Sequence, residues 1–116
     1  MTGRRRCYRW PMFVVVFRAH LDRVDAEYGA TASRMRELAF AEHGCLDFTA
    51  VTEGDLEVAI SYWPDEASIV AWKRHVEHQA AQARGRGGWY RDYKVEVARV
   101  ERAYAWPPET RRGDGG

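Results

Sequence analysis

The sequence predicts an α+β domain, a ferredoxin-like βαββαβ sandwich with an antiparallel sheet and both helices on one face. Three observations carry that prediction. Met12 to Phe17 is an unbroken apolar run rich in valine, the pattern of a strand covered on both sides. Two later segments repeat apolar residues at three- and four-residue steps, the period of a helix with one buried stripe. Between those segments, two short runs alternate apolar and polar residues around Glu53-Gly54-Asp55, as a hairpin does.

Taken in order, Met12 to His20 is the first strand. Tyr28, Thr31, Ala32, Met35, Leu38 and Ala39 form the stripe of a helix over residues 27 to 43, which His43-Gly44 stops. Leu46, Phe48 and Ala50 face one way in the hairpin's first arm, and Leu56, Val58, Ile60 and Tyr62 share a face of its second. Asp65 is placed to cap a second helix that opens near Ala67 with Glu66 in its first turn. Its stripe is Ile69, Trp72, Val76, Ala80 and Ala83, and Gly85-Arg86-Gly87-Gly88 ends it. Trp89, Tyr90 and Tyr93 then read as a lid or a short packed helix. The last strand, Tyr93 to Trp106, puts Val95 and Val97 on one parity and Val100, Tyr104 and Trp106 on the other, which places a bulge near Ala98-Arg99.

This architecture leaves one sheet face bare, although the first strand is apolar on both. A homodimer that joins the bare faces is the expected remedy.

Bulk properties narrow the function classes. The 116 residues make one domain, and 46% hydrophobic with 30% charged residues is an ordinary soluble composition. Net charge is +1, but Arg4, Arg5, Arg6 and Arg9 crowd the start, and the remainder carries −3. No basic face for nucleic acid is expected on that body. Residues 1–10 and 107–116 read as flexible tails around a folded body of residues 11–106. The apolar run closes at Arg18, too short for a signal peptide or a membrane span, so a cytoplasmic protein without membrane association is expected. Cys7 and Cys45 match no metal or redox spacing; no metal site is expected, and Cys45 reads as a small buried hydrophobe.

The richest chemistry lies between Trp72 and Tyr93, where tryptophans, histidines and tyrosines are dense enough to wall a small-molecule pocket. No nucleophile triad or phosphate loop accompanies them, which leaves hydrolase and kinase readings without support.

With Ser61-Tyr62-Trp63, Ala71-Trp72-Lys73, Glu77-His78-Gln79, Trp89-Tyr90, Tyr93 and Val100-Glu101-Arg102-Ala103-Tyr104 in this element order, the chain resembles the antibiotic biosynthesis monooxygenase family. The resemblance implies a dimeric α/β barrel with a pocket in each protomer between sheet and helices. It also implies cofactor-independent oxygenation of a small aromatic or polyketide-like compound. Its alternatives are heme binding with heme degradation, and a non-catalytic dimer that binds a small hydrophobic ligand. Heme-degrading members carry an asparagine in the first strand, a tryptophan in the second helix and an axial histidine beyond it. Trp72 matches the tryptophan, while Phe17 stands at the asparagine position and His75 and His78 follow Trp72 by three and six residues.

An oxygenase of this kind needs a base to ionise a phenol or enol, and histidine suits that role at neutral pH. His75 or His78 is the expected base, with Arg18 receiving the enolate charge and Trp72, Tyr62, Trp89 and Tyr93 forming the substrate walls. At about 100° per residue both histidines point roughly 120° to 180° from the apolar stripe. A break after Trp72 is what would turn them toward the cavity.

Overall fold

A computed structural model describes residues 12–84 and 88–108. The basic tail with Cys7, residues 109–116 and the Gly85-Arg86-Gly87 helix stop lie outside the described residues, as do the side chains of Ala80 and Ala83. The elements run β1 (Met12–Leu21), α1 (Ala26–His43), β2 (Asp47–Glu53), β3 (Leu56–Trp63), α2 (Glu66–Arg84) and β4 (Tyr90–Val100). They build one antiparallel sheet of order β2-β3-β1-β4, the ferredoxin-like arrangement. Its most apolar strand is central.

Local chemistry explains both helix starts. The Asp25 carboxylate accepts from the Tyr28 N–H at 2.8 Å and the Asp65 carboxylate from the Ser68 N–H at 2.8 Å, each satisfying a donor the first turn leaves orphaned. Gly44 ends α1 in the left-handed region at φ 77°, where its N–H reaches back to the Ala39 carbonyl.

Strand alternation sorts side chains between two faces. Val15 of β1 meets Ala39 of α1, Ile69 of α2, Trp63 of β3 and Cys45 in the buried core, with Phe13, Phe48, Trp72 and Val95 packed around it. Cys45 is thus a buried small residue, and desolvation pushes its thiol up to about 11. Trp63 is wholly buried, and its indole N–H donates to Ser61 Oγ at 2.8 Å. The other face carries Val14, Val16, Leu56, Val58, Ile60 and Tyr62, which the pairing of β1 with β3 sets side by side. No described helix covers it.

The last strand departs from the sequence expectation in three ways. The strand begins at Tyr90, three residues before Tyr93, so Tyr90 belongs to β4 rather than to a lid or short helix. The strand stops at Val100, which pairs with Met12. Tyr104 and Trp106 lie past its end, exposed and in no strand. The irregularity also lies elsewhere: pairing is continuous through Ala98 and Arg99, and register slips between His20 and Leu21. His20 faces Asp92 while Leu21 faces Tyr90, so Arg91 is the extra residue of a bulge. Its guanidinium reaches the Leu21 carbonyl at 3.1 Å and the Asp55 carboxylate at 2.5 Å, tying the bulge to the β2–β3 turn.

That slip decides a side chain's destination. In uninterrupted alternation Tyr90 and Tyr93, three residues apart, would point to opposite faces. The bulge turns Tyr90 to the helix side, where Tyr93 already points, and the two rings lie 5.8 Å apart.

Candidate functional site

Between the helices and the covered face of the sheet lies a cavity of about 340 Å³. Two aromatic groups bound it. Phe17, Tyr28, Trp89, Tyr90 and Tyr93 form one, with ring centroids 5.2 to 6.0 Å apart. Phe48 and Trp72 form the other, 5.9 Å apart, with Trp63 packed behind Trp72 at 5.2 Å. Ala50 and Ala59, paired across β2 and β3, form the floor between them, and Ala32 of α1 faces it. Small residues where the sheet could have carried large ones are what leave the space open.

Polar groups in the walls are few. Tyr28 donates its phenol to Glu57 Oε1, and the Tyr90 hydroxyl is hydrogen-bonded to Tyr28. A carboxylate only accepts, so the Tyr28 proton goes to Glu57 and the Tyr28 oxygen accepts from Tyr90. Burial, then the bond to Glu57, holds the Tyr28 phenol far above its usual range; burial pushes Tyr90 up to about 12. Both phenols are neutral at physiological pH. Ser61 lines the cavity with its oxygen already accepting from Trp63. At the rim, Arg36 donates to the Phe48 carbonyl at 2.8 Å, and Lys73 pairs with Glu77 at 3.4 Å. Trp72 is fixed by its own indole N–H, which donates to the Met35 carbonyl at 3.0 Å and so joins α2 to α1.

Of the residues expected from sequence, the structure brings Trp72, Trp89 and Tyr93 together around this cavity. The other four stand apart from it. Arg18 and Tyr62 lie on the bare face, as their pairing with Val58 and Val14 dictates, so within one protomer the sheet separates them from the cavity. α2 is continuous through Glu66–Arg84, without the break that would turn His75 and His78 inward, and both are exposed. The His75 ring packs instead 5.2 Å from that of His43.

Tyr28, Glu57 and Tyr90 escaped the sequence reading. Tyr28 stood only as one member of a helix stripe, Glu57 as a polar position in an alternating strand, and Tyr90 as a lid residue. The one available signal was that Glu57 shares its parity with Ala59, Ser61 and Trp63, and a carboxylate in line with a buried tryptophan faces the interior.

No histidine lines the cavity, so the residues present do not fit a histidine-ligated heme within one protomer. Among the described residues no group of three or more His, Cys, Asp or Glu side chains could hold a metal ion, and no helix is long and apolar enough to cross a membrane.

Fold and cavity together define a ferredoxin-like α+β domain with an aromatic-walled chamber between sheet and helices. The sequence profile of the antibiotic biosynthesis monooxygenase family matches residues 12–84, and the chain belongs to that family. It is 41% identical over 93 residues to the YqjZ protein of Bacillus subtilis, an alignment covering 79% of this chain and 82% of that one. It is 30% identical over 95 residues to a jasmonate monooxygenase ABM of Pyricularia oryzae, covering 77% of this chain but 43% of that longer protein. Among solved structures it resembles SnoaB, a cofactor-independent oxygenase from Streptomyces nogalater, with TM-score 0.62 at 14% identity over 80% of this chain and 96% of that one. Rv0793 from Mycobacterium tuberculosis gives TM-score 0.58 at 20% identity, over 79% and 98% respectively. At such identities the structural likeness is one of fold.

Proposed function

We propose that this protein is a cofactor-independent oxygenase acting on a small planar compound with an ionisable phenol or enol, and that it works as a homodimer. The observation that carries the reading is the chamber itself: two aromatic groups bound it around an alanine floor, leaving a largely apolar slot suited to a flat ring system. Family membership and the activities named for SnoaB and the Pyricularia relative support oxygen chemistry.

In outline, a base removes a proton from the substrate and the resulting carbanion passes an electron to dioxygen. The radical pair combines to a peroxide. Loss of water from that peroxide converts a methylene to a carbonyl, so one dioxygen yields one product oxygen and one water. The protein's part is to hold the substrate flat, exclude water and handle protons. The bare sheet face, with Val14, Val16, Val58 and Ile60 side by side, supports pairing with a second copy.

Oxygen uptake with 1,8-dihydroxyanthrone, alongside quenching of tryptophan fluorescence by the corresponding anthraquinone, tests the reading. Saturable quenching with oxygen consumption above the buffer rate is the expected result. Saturable binding without uptake would make the protein a binder. A Soret shift on addition of one equivalent of hemin per protomer, with no anthrone turnover, would move the function to heme.

A further inference from the structure

We propose that Glu57 is the catalytic base of this cavity, held in place by a phenol chain in which Tyr90 supports Tyr28 and Tyr28 supports Glu57. The inference rests on the oxygenase reading above and supplies the group that reading leaves unnamed.

Two carboxylates line the chamber, and their settings differ. Glu77 sits at the rim, 3.4 Å from Lys73, with both side chains about half exposed. Glu57 projects from the covered face of β3 opposite Ala19, half-buried, beside the ring group of Phe17, Tyr28 and Tyr90. One of its oxygens receives the Tyr28 proton. A carboxylate has two oxygens and about four lone-pair sites, so this bond leaves acceptor capacity for a substrate. His75 and His78 are exposed on α2 and line no part of the chamber.

The chain of donors gives the carboxylate a fixed orientation. Tyr28 is anchored from α1, Glu57 from β3 and Tyr90 from β4, so three separate elements converge on one set of oxygens. Such convergence is expensive in ordering and is the usual mark of a site that must hold a proton acceptor still. The step balances simply. The substrate C–H or O–H bond breaks, its electron pair stays on the substrate as an enolate, and the proton forms an O–H bond on the free oxygen of Glu57. After dioxygen has combined with the carbanion, the same proton returns to the peroxide, and Glu57 is again a carboxylate. Tyr28 and Tyr90 are positioning residues; their protons do not leave.

Proton abstraction can be read without oxygen. In deuterium oxide under nitrogen, 1,8-dihydroxyanthrone exchanges its methylene protons, and the wild-type protein is expected to accelerate that exchange. Glu57→Gln keeps an oxygen for Tyr28 to donate to but cannot take a proton. It is expected to lower both exchange and kcat by about 10²- to 10⁴-fold, the span of a lost general base, with KM and the circular dichroism spectrum little changed. Glu57→Asp is expected to recover part of the exchange rate. Tyr28→Phe removes the donor that orients the carboxylate, so kcat and the exchange rate are expected to fall together with KM little changed, a split that a merely structural contact would not give.

Wild-type exchange and kcat in a folded Glu57→Gln protein would overturn the assignment while leaving the oxygenase reading intact. A wild-type protein that neither binds the anthrone nor consumes oxygen with it would overturn both.

Discussion

The phenol chain makes a prediction about alkaline stability that Tyr90→Phe isolates. Tyr90 has its pKa pushed from the ordinary 10.0 up to about 12, chiefly by burial. The sign follows from which state holds the proton. Below pH 10 both folded and unfolded chains carry it, and the contribution to stability is complete. As pH rises from 10 to about 12 the unfolded chain releases the proton while the folded chain retains it, so stability is lost. At 1.36 kcal/mol per decade the full loss is about 2.7 kcal/mol, and solvent reaching part of the side chain reduces it to roughly half. Phenylalanine has no such proton. At pH 8 the variant is expected to be about 1 kcal/mol less stable than wild type, because the hydrogen bond to Tyr28 is gone. By pH 12 that gap is expected to close. Urea unfolding at stepped pH from 8 to 12 measures the difference directly, with tyrosinate absorbance reporting the late ionisation. A gap that stays constant across this range would refute the claim that the fold holds the Tyr90 proton.

Further expectations concern separate parts of the fold. Ser61→Ala deletes the acceptor of the buried Trp63 indole N–H and is expected to cost about 1–3 kcal/mol in urea unfolding, far more than a serine methyl swap at the surface. Asp25→Ala removes the α1 cap and is expected to cost about 1 kcal/mol, a fall in Tm of roughly 4–8 °C by differential scanning calorimetry. Ile60→Lys places a charge on the bare sheet face; sedimentation is expected to change from particles of twice the 13.4 kDa chain mass to single chains, whereas an unchanged dimer would show that another surface joins the copies.

Much of the fold was legible because it depends on local rules that the sequence writes plainly. Valine runs, helix stripes, Asp65 and the glycine after His43 each fix a structure within a few residues of themselves. What was not legible depends on partners distant in sequence. Which β4 residues join the sheet is set by their partners on β1, with Met12 and Val100 eighty-eight residues apart, and no periodicity within β4 reports it. Arg18 was expected to receive the enolate charge, but its parity with Val14 and Val16 puts it on the face opposite the helices. Histidine attracted the base assignment through its pKa alone, whereas the helix angle had already turned His75 and His78 outward. Glu57 was inconspicuous because a glutamate in an alternating strand normally faces water.

The extra residue at Arg91 reaches beyond the strand that contains it. Alternation spaces same-side neighbours about 7 Å apart, which limits how many rings one strand can crowd against a ligand. By taking up Arg91 as a bulge, β4 brings Tyr90 and Tyr93, three residues apart in the chain, into neighbouring same-side places opposite Leu21 and Ala19. Excising Arg91 would restore regular alternation with Tyr90 still on the helix side; straightening β4 at its present length, so that Arg91 rather than Tyr90 faced Leu21, is the change that would carry the Tyr90 hydroxyl through the sheet and take its donor from Tyr28 with no residue of the chamber substituted.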